Sequence, residues 1–150
     1  MSDQPPGPKP TIPYWHLYTD GDGMSRFARC AMTELNWKSL SSSAQWQGHK
    51  TTAEVSVVFS VLPPGWFGDW HENPKPQWII PLSGRWYVEA MDGKRLEFGP
   101  GEAHFGEDQN CTKQDGRTGH LSGVVGDEPC VQMIVQFEQP PTRNQPCRWR

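Results

Sequence analysis

Apolar and polar positions alternate in this chain over short runs, and no helical period of useful length interrupts them. The strongest run, Ala53 to Leu62 (AEVSVVFSVL), sets Val55, Val57, Phe59 and Val61 on one face of a strand. Met24 to Met32 follows the turn-like Asp20-Gly21-Asp22-Gly23 and reads as another strand. Between these two, NWKSLSSSAQWQGHK reads as an irregular polar loop over one end of the domain, with His49 a surface residue on it. Gln77 to Leu82 runs into the tight turn Ser83-Gly84, and Arg85 to Ala90 runs back. Asp92-Gly93 is a hairpin signal, after which Lys94 to Phe98 leads into the turn Gly99-Pro100-Gly101-Glu102. A strand from Ala103, a polar loop from Glu107 to Gly119, and closing strands from His120, including Val131 to Phe137, complete an all-β pattern.

Composition sharpens this picture. A chain of 150 residues reads as one domain that buries roughly 70% of its unfolded surface. Fifteen Gly and fifteen Pro break any long helix and suit short strands joined by turns, while eight Trp supply much of the core. Residues 1–13 read as a Pro-rich arm, 14–138 as the single domain and 139–150 as a Pro-rich tail. The tail is expected to be loose, or else to cross a neighbouring subunit, since Trp149 is an odd residue to leave in water. A net charge of −3 with scattered Lys and Arg excludes a nucleic-acid face, and no apolar run approaches the ~20 residues that span a bilayer. The opening MSDQPPGPKPTIP lacks an apolar signal core, so a cytoplasmic protein is expected. With no C-x-x-C pair and no zinc spacing, Cys30, Cys111, Cys130 and Cys147 are expected to be free thiols.

The segment GWFGDWHENPKPQWIIPLSG, Gly65 to Gly84, carries the chemistry. Five residues separate Gly65 from His71, one separates His71 from Asn73, three separate Asn73 from Gln77 and six separate Gln77 from Gly84. This spacing resembles the first cupin motif, Gly-x5-His-x-His-x3-4-Glu-x6-Gly, with Asn73 at the second His and Gln77 at the Glu. Gly99-Pro100-Gly101-Glu102 resembles the Pro-Gly-Asp turn that opens the second motif, whose closing His is delayed to His120 behind a lengthened loop. Over about residues 53–137 the layout is similar to a group of small single-domain cupins, which share His71, Pro74, Gln77, Leu82-Ser83-Gly84, Glu107-Asp108 and Gly119-His120. The resemblance implies a cupin double-stranded β-helix, a jelly-roll barrel, and a homodimer.

In a strand, alternate side chains share a face, so an inward His71 brings Asn73, Gln77, Ile79 and Pro81 with it. Trp70, Glu72, Trp78 and Ile80 then point outward, a face apolar enough to pack against another sheet or a second subunit. Two chemistries fit the inward set. In one, His71, Gln77 and His120 hold a divalent metal such as Fe, Mn, Ni or Zn, with Asn73 in the place of the missing His and Asp108 or His104 joining the shell. In the other, no metal takes part and His71 and His120 face one another as acid and base, with Asp108 orienting one imidazole. Asn73 and Gln77 would then anchor a ligand oxygen, beside His104 and apolar walls from Trp86, Ile79 and Trp66. Such a site suits dehydration, isomerisation, epimerisation or cyclisation of a small oxygenated metabolite, aromatic or polyketide-like rather than a free sugar. A metal-dependent oxygenase and a non-catalytic ligand-binding module are the alternatives.

Overall fold

The computed structural model describes residues 4–39, 43–51 and 53–150. Among them are twelve strands and no helix, so none that is long and apolar enough to cross a membrane. The strands are β1 (Ile12–Thr19), β2 (Ser25–Met32), β3 (Asn36–Ser39), β4 (Ala44–Gln47), β5 (Val55–Leu62) and β6 (Phe67–His71). They continue with β7 (Gln77–Ser83), β8 (Arg85–Ala90), β9 (Arg95–Phe98), β10 (His104–Glu107), β11 (His120–Val125) and β12 (Cys130–Phe137). A six-stranded sheet has the order β2-β1-β10-β7-β12-β5, a four-stranded sheet the order β6-β11-β8-β9, and β3 pairs with β4. None of the three sheets closes on itself.

Alternation decides what each face meets. On the inner face of the large sheet, Leu17, Ile79 and Cys130 pack against Trp86, Val88 and Phe98 of the four-stranded sheet. The two sheets therefore share one core, as the period-2 pattern requires. On the outer face, Tyr14, Phe105 and Phe137 form a second apolar cluster that is closed by Trp149.

Several expectations need correction here. Residues 139–150 are not a loose tail: Trp149 is only 6% exposed and packs on its own chain, with ring centroids 5.3 Å from Phe105 and 5.6 Å from Phe137. Trp78, placed outward as expected, is covered by Tyr14, Phe105 and this same Trp149 rather than by a second subunit. Two of the four cysteines are not free thiols, because Cys30 and Cys147 form a disulfide across a separation of 117 residues, while Cys111 and Cys130 remain free. The span read as a polar loop, 36–50, contains the hairpin of β3 and β4, with residues 40–42 outside the described residues. The facing rings of Trp37 and Trp46, with centroids 5.6 Å apart, give that polar segment its cross-strand pair. His49 is exposed.

The β5 face holds a further difference. Val55, Val57, Phe59 and Val61 do share one face, but that face is solvent-exposed and Phe59 shows 67% of its surface. The strand lies at the sheet edge and its inner residues, Ser60 and Leu62, face a cavity instead.

Candidate functional site

The motif residues converge between the two sheets. Strand β6 ends at His71 and β11 begins at His120, and these two are directly paired across the antiparallel ladder. Gly119 makes this approach possible: its φ is +63°, and a Cβ there would lie 2.2 Å from the His71 carbonyl oxygen. The result is a pair of imidazoles with ring centroids 4.5 Å apart. His71 is exposed at the mouth of a cavity of about 140 Å³, and His120, 3% exposed, lies inside it.

Hydrogen bonds fix the tautomers. His71 Nδ1 lies 2.5 Å from the Asp69 carbonyl oxygen, which only accepts, so Nδ1 carries the proton. His120 Nδ1–H donates to Asp108 Oδ2 at 2.6 Å within a fully buried pair. In its neutral form each ring then has its Nε2 lone pair free. Burial works to raise the Asp108 pKa, but the His120 charge and the hydrogen bonds from His120 and Asn73 outweigh it and hold the carboxyl below its ordinary range.

Asp108 also orders a row of amides. An ionised carboxylate can only accept, so Asn73 turns its Nδ2–H to Asp108 Oδ1 at 2.7 Å. This leaves Asn73 Oδ1 to accept from Gln77 Nε2 at 2.8 Å, and Gln77 Oε1 to accept from Gln136 Nε2 at 2.9 Å. One negative charge thus sets the orientation of three side-chain amides. The Asn73 backbone N–H adds a bond of 2.9 Å to the same Asp108 oxygen. Gly106 gives this arrangement room, since a Cβ at that position would lie 2.5 Å from Asn73 Nδ2.

Of the side chains expected in the pocket, His71, Asn73, Gln77, Ile79, Trp86 and His120 line it, and so does Trp66. Asp108 stands behind His120. His104 does not line it: strand β10 turns His104 into the aromatic core, where its ring stacks on Phe98 at 4.8 Å and lies 5.6 Å from Trp86. Its Nδ1 has no hydrogen-bond partner among the described residues, and burial pushes its pKa down to about 3. Ser122, Gln132 and Ile134 line the pocket without having been foreseen, and Gln136 anchors Gln77. Gln132, Ile134 and Gln136 share one face of β12, so two glutamines two positions either side of Ile134 were the available signal. A larger cavity, about 210 Å³, is lined by Trp15, Arg29 and Glu102. Its charges already have partners, Arg29 over the Trp15 ring and Glu102 on the Gly99 N–H.

A metal would need free donor atoms in this set. His71 and His120 each offer an Nε2 nitrogen, but the third expected ligand, Gln77, has its amide bonded at both ends. Asn73 is bonded likewise, and the Asp108 oxygens serve His120 and Asn73. Among the described residues no group of three or more His, Cys, Asp and Glu side chains could hold an ion. Two free imidazole nitrogens fall short of the three or more protein ligands of usual metal sites. Compared with models of known protein families the chain matches none, and no curated protein matches it.

Proposed function

We propose that this chain is a small cupin-type enzyme, a jelly-roll lyase or isomerase, that moves protons on a small oxygenated metabolite. One observation carries the reading. The buried Asp108–His120 pair (2.6 Å) sits at a pocket whose mouth holds a second imidazole, His71. His120 Nε2 accepts a proton from the ligand, and Asp108 takes the Nδ1–H bond and stabilises the imidazolium that forms. His71, nearer solvent, takes up a proton at Nε2 from water and delivers it to the departing or receiving atom. Two imidazolium charges this close (4.5 Å between centroids) would repel by about 1–4 kcal/mol, so the two rings act in opposite protonation states.

The ligand follows from what is left unpaired. The NH₂ groups of Asn73 and Gln77 each keep one N–H after the bonds above, so they donate to a ligand oxygen such as a carbonyl becoming an enolate. The cavity, about 140 Å³, is close to the ~150 Å³ void that takes up benzene, so one ring or a short branched chain is enclosed. Trp66, Trp86 and Ile79 favour a planar apolar body. The support for a cupin is that both motif histidines and Gln77 face one space between two β-sheets. The metal-dependent oxygenase reading is less favoured by the engaged amides.

The test is a panel of aryl ketones, enones and β-hydroxy ketones incubated in D₂O with the wild type, His120→Ala and His71→Ala, followed by NMR. Deuterium uptake or turnover of a panel member by the wild type, reduced roughly 10²–10⁴-fold in His120→Ala, is expected for general acid–base work. Binding without exchange would make the protein a ligand carrier, and activity that appears only with added Fe(II) would make it an oxygenase.

The same reading extends to assembly. A second copy packs on the exposed apolar face of β5 and β12, where Val57, Phe59 and Val61 stand in register with Val135, Met133 and Val131. The face carries no charged side chain along either row and suits a self-complementary contact.

A further inference from the structure

A second buried polar cluster lies on the side of β10 away from the pocket. Strand alternation turns Glu107 outward where Asp108 turns inward. Glu107 is 1% exposed, and its carboxylate accepts two bonds from Arg148 Nε, at 2.9 and 3.1 Å, and one from Arg148 Nη2 at 2.7 Å. Thr142 adds its hydroxyl at 2.9 Å and its N–H at 3.2 Å, and His16 Nε2 lies 3.1 Å away. Except for His16, these partners all belong to the last nine residues of the chain. The same segment donates from Cys147 N to His16 Nδ1 (3.0 Å) and from Asn144 N to the Thr19 carbonyl (2.7 Å). Trp149 closes the outer apolar cluster and exchanges two hydrogen bonds with Tyr14 Oη.

This strap belongs to no sheet, so it has no ladder of backbone bonds to hold it. One covalent link ties it down, the Cys30–Cys147 disulfide. Cys147 and Asn144 both adopt left-handed backbone, φ +60° and +55°, a conformation that non-glycine residues leave when their restraints are removed. The strap also grips the segment that carries Asp108. Glu107 precedes Asp108, and Gln109, which follows it, accepts from Thr19 Oγ1 at 2.7 Å, while the Thr19 carbonyl is the one bonded by Asn144.

We propose that Cys30–Cys147 is a site of thiol–disulfide exchange with a dithiol reductant, and that its opening frees the C-terminal strap and loosens the Asp108 segment of the pocket. The consequence for catalysis rests on the acid–base reading above; the exchange and the release do not. Cys147 is the attacked sulfur, since it is half-buried beside four exposed residues, 143–146, whereas Cys30 is 6% exposed. A thiolate of the reductant bonds to Cys147 Sγ, the S–S bond breaks, and Cys30 Sγ leaves as a thiolate that takes a proton. The second thiol of the reductant then displaces Cys147, which also ends as a thiol. Two electrons pass to the protein, and the reductant leaves as its own disulfide.

The test uses the full chain, oxidised and after dithiothreitol, with thiols trapped by iodoacetamide and counted by mass. Hydrogen exchange reads the strap, and the His120 Nδ1–H proton resonance reads the pocket, so neither readout needs a substrate. The expected results are two more alkylated cysteines and at least roughly tenfold faster exchange over residues 142–150, because freed strap amides open locally. A weakened or shifted His120 resonance should accompany them, and all three should revert on reoxidation before alkylation. Cys147→Ser, if it folds, should match the reduced state. The proposal is overturned if purified protein alkylates at all four cysteines without reductant, or if the disulfide resists dithiothreitol in the folded state. It is overturned equally if the strap stays protected after reduction, or if the His120 resonance is unchanged when the strap opens. Strap release with no turnover of any panel compound would leave this switch standing and remove the enzyme reading instead.

Discussion

Asp108 shows how one ionised side chain can organise a pocket. It fixes the His120 tautomer, and through Asn73 and Gln77 it sets how each amide is oriented in the pocket. The inward set Gln77, Ile79 and Pro81 was legible from alternation alone, because a pleated strand leaves no other choice, whereas Asn73 lies in the loop between β6 and β7 and is held inward by Asp108. His104 was misplaced for a physical reason: alternation says inward, but not whether the space inward is cavity or packed ring. Its position supports a prediction. Burial, the largest cause, lowers the His104 pKa to about 3, with the charges of His120 and His16 acting the same way and Asp108 opposing them. The unfolded chain therefore binds a proton below about pH 6.5 that the folded chain refuses, so stability falls with pH from there toward about 3. Replacing His104 by Phe should remove about 2 kcal/mol of the stability loss between about pH 7 and pH 5, measured by urea unfolding at both values. An unchanged pH dependence would contradict the neutral, buried His104.

The elements divide by how local their signals are. Strands β7, β8 and β12 stand close to where alternation and turn residues put them, and β2 follows its Asp-Gly turn. The hairpin β3–β4 was hidden because its residues are mostly polar and only the Trp37–Trp46 pair supports it. The C-terminal segment was hidden because it forms no strand at all; Pro-rich composition describes a loose chain equally well. What holds it is nonlocal, the contacts of Trp149 with Tyr14, Phe105 and Phe137 and the salt bridge of Arg148 with Glu107. Trp149→Ala should cost about 3–5 kcal/mol, the range for emptying a large aromatic site, whereas a dispensable tail would show no change in the urea midpoint.

At the scale of the molecule, the outer face of the large sheet is covered at one end by the strap and bare at the other. Phe59, Val61 and Val57 are each more than half exposed on edge strand β5, a long apolar edge of the kind that proteins usually pair or cover. Pairing of two copies there predicts that Phe59→Lys turns a dimer into a monomer in sedimentation while changing monomer stability by no more than about 0.5 kcal/mol. A wild type that sediments as a monomer would refute it. What the sequence by itself determined is local: short strands, the turns between them, and the alternation that sets Gln77, Ile79 and Pro81 on one face. These follow from backbone geometry with period two and from glycine and proline chemistry, which need no knowledge of distant residues. Tertiary structure alone decided which faces met each other. It sent His104 into the core, joined Cys30 to Cys147 and brought Trp149 onto Phe105, and it gave the expected juxtaposition of His71, His120 and Asp108 its geometry. Those outcomes depend on the packing of two sheets and on contacts up to 135 positions apart in the chain, and no periodicity records them.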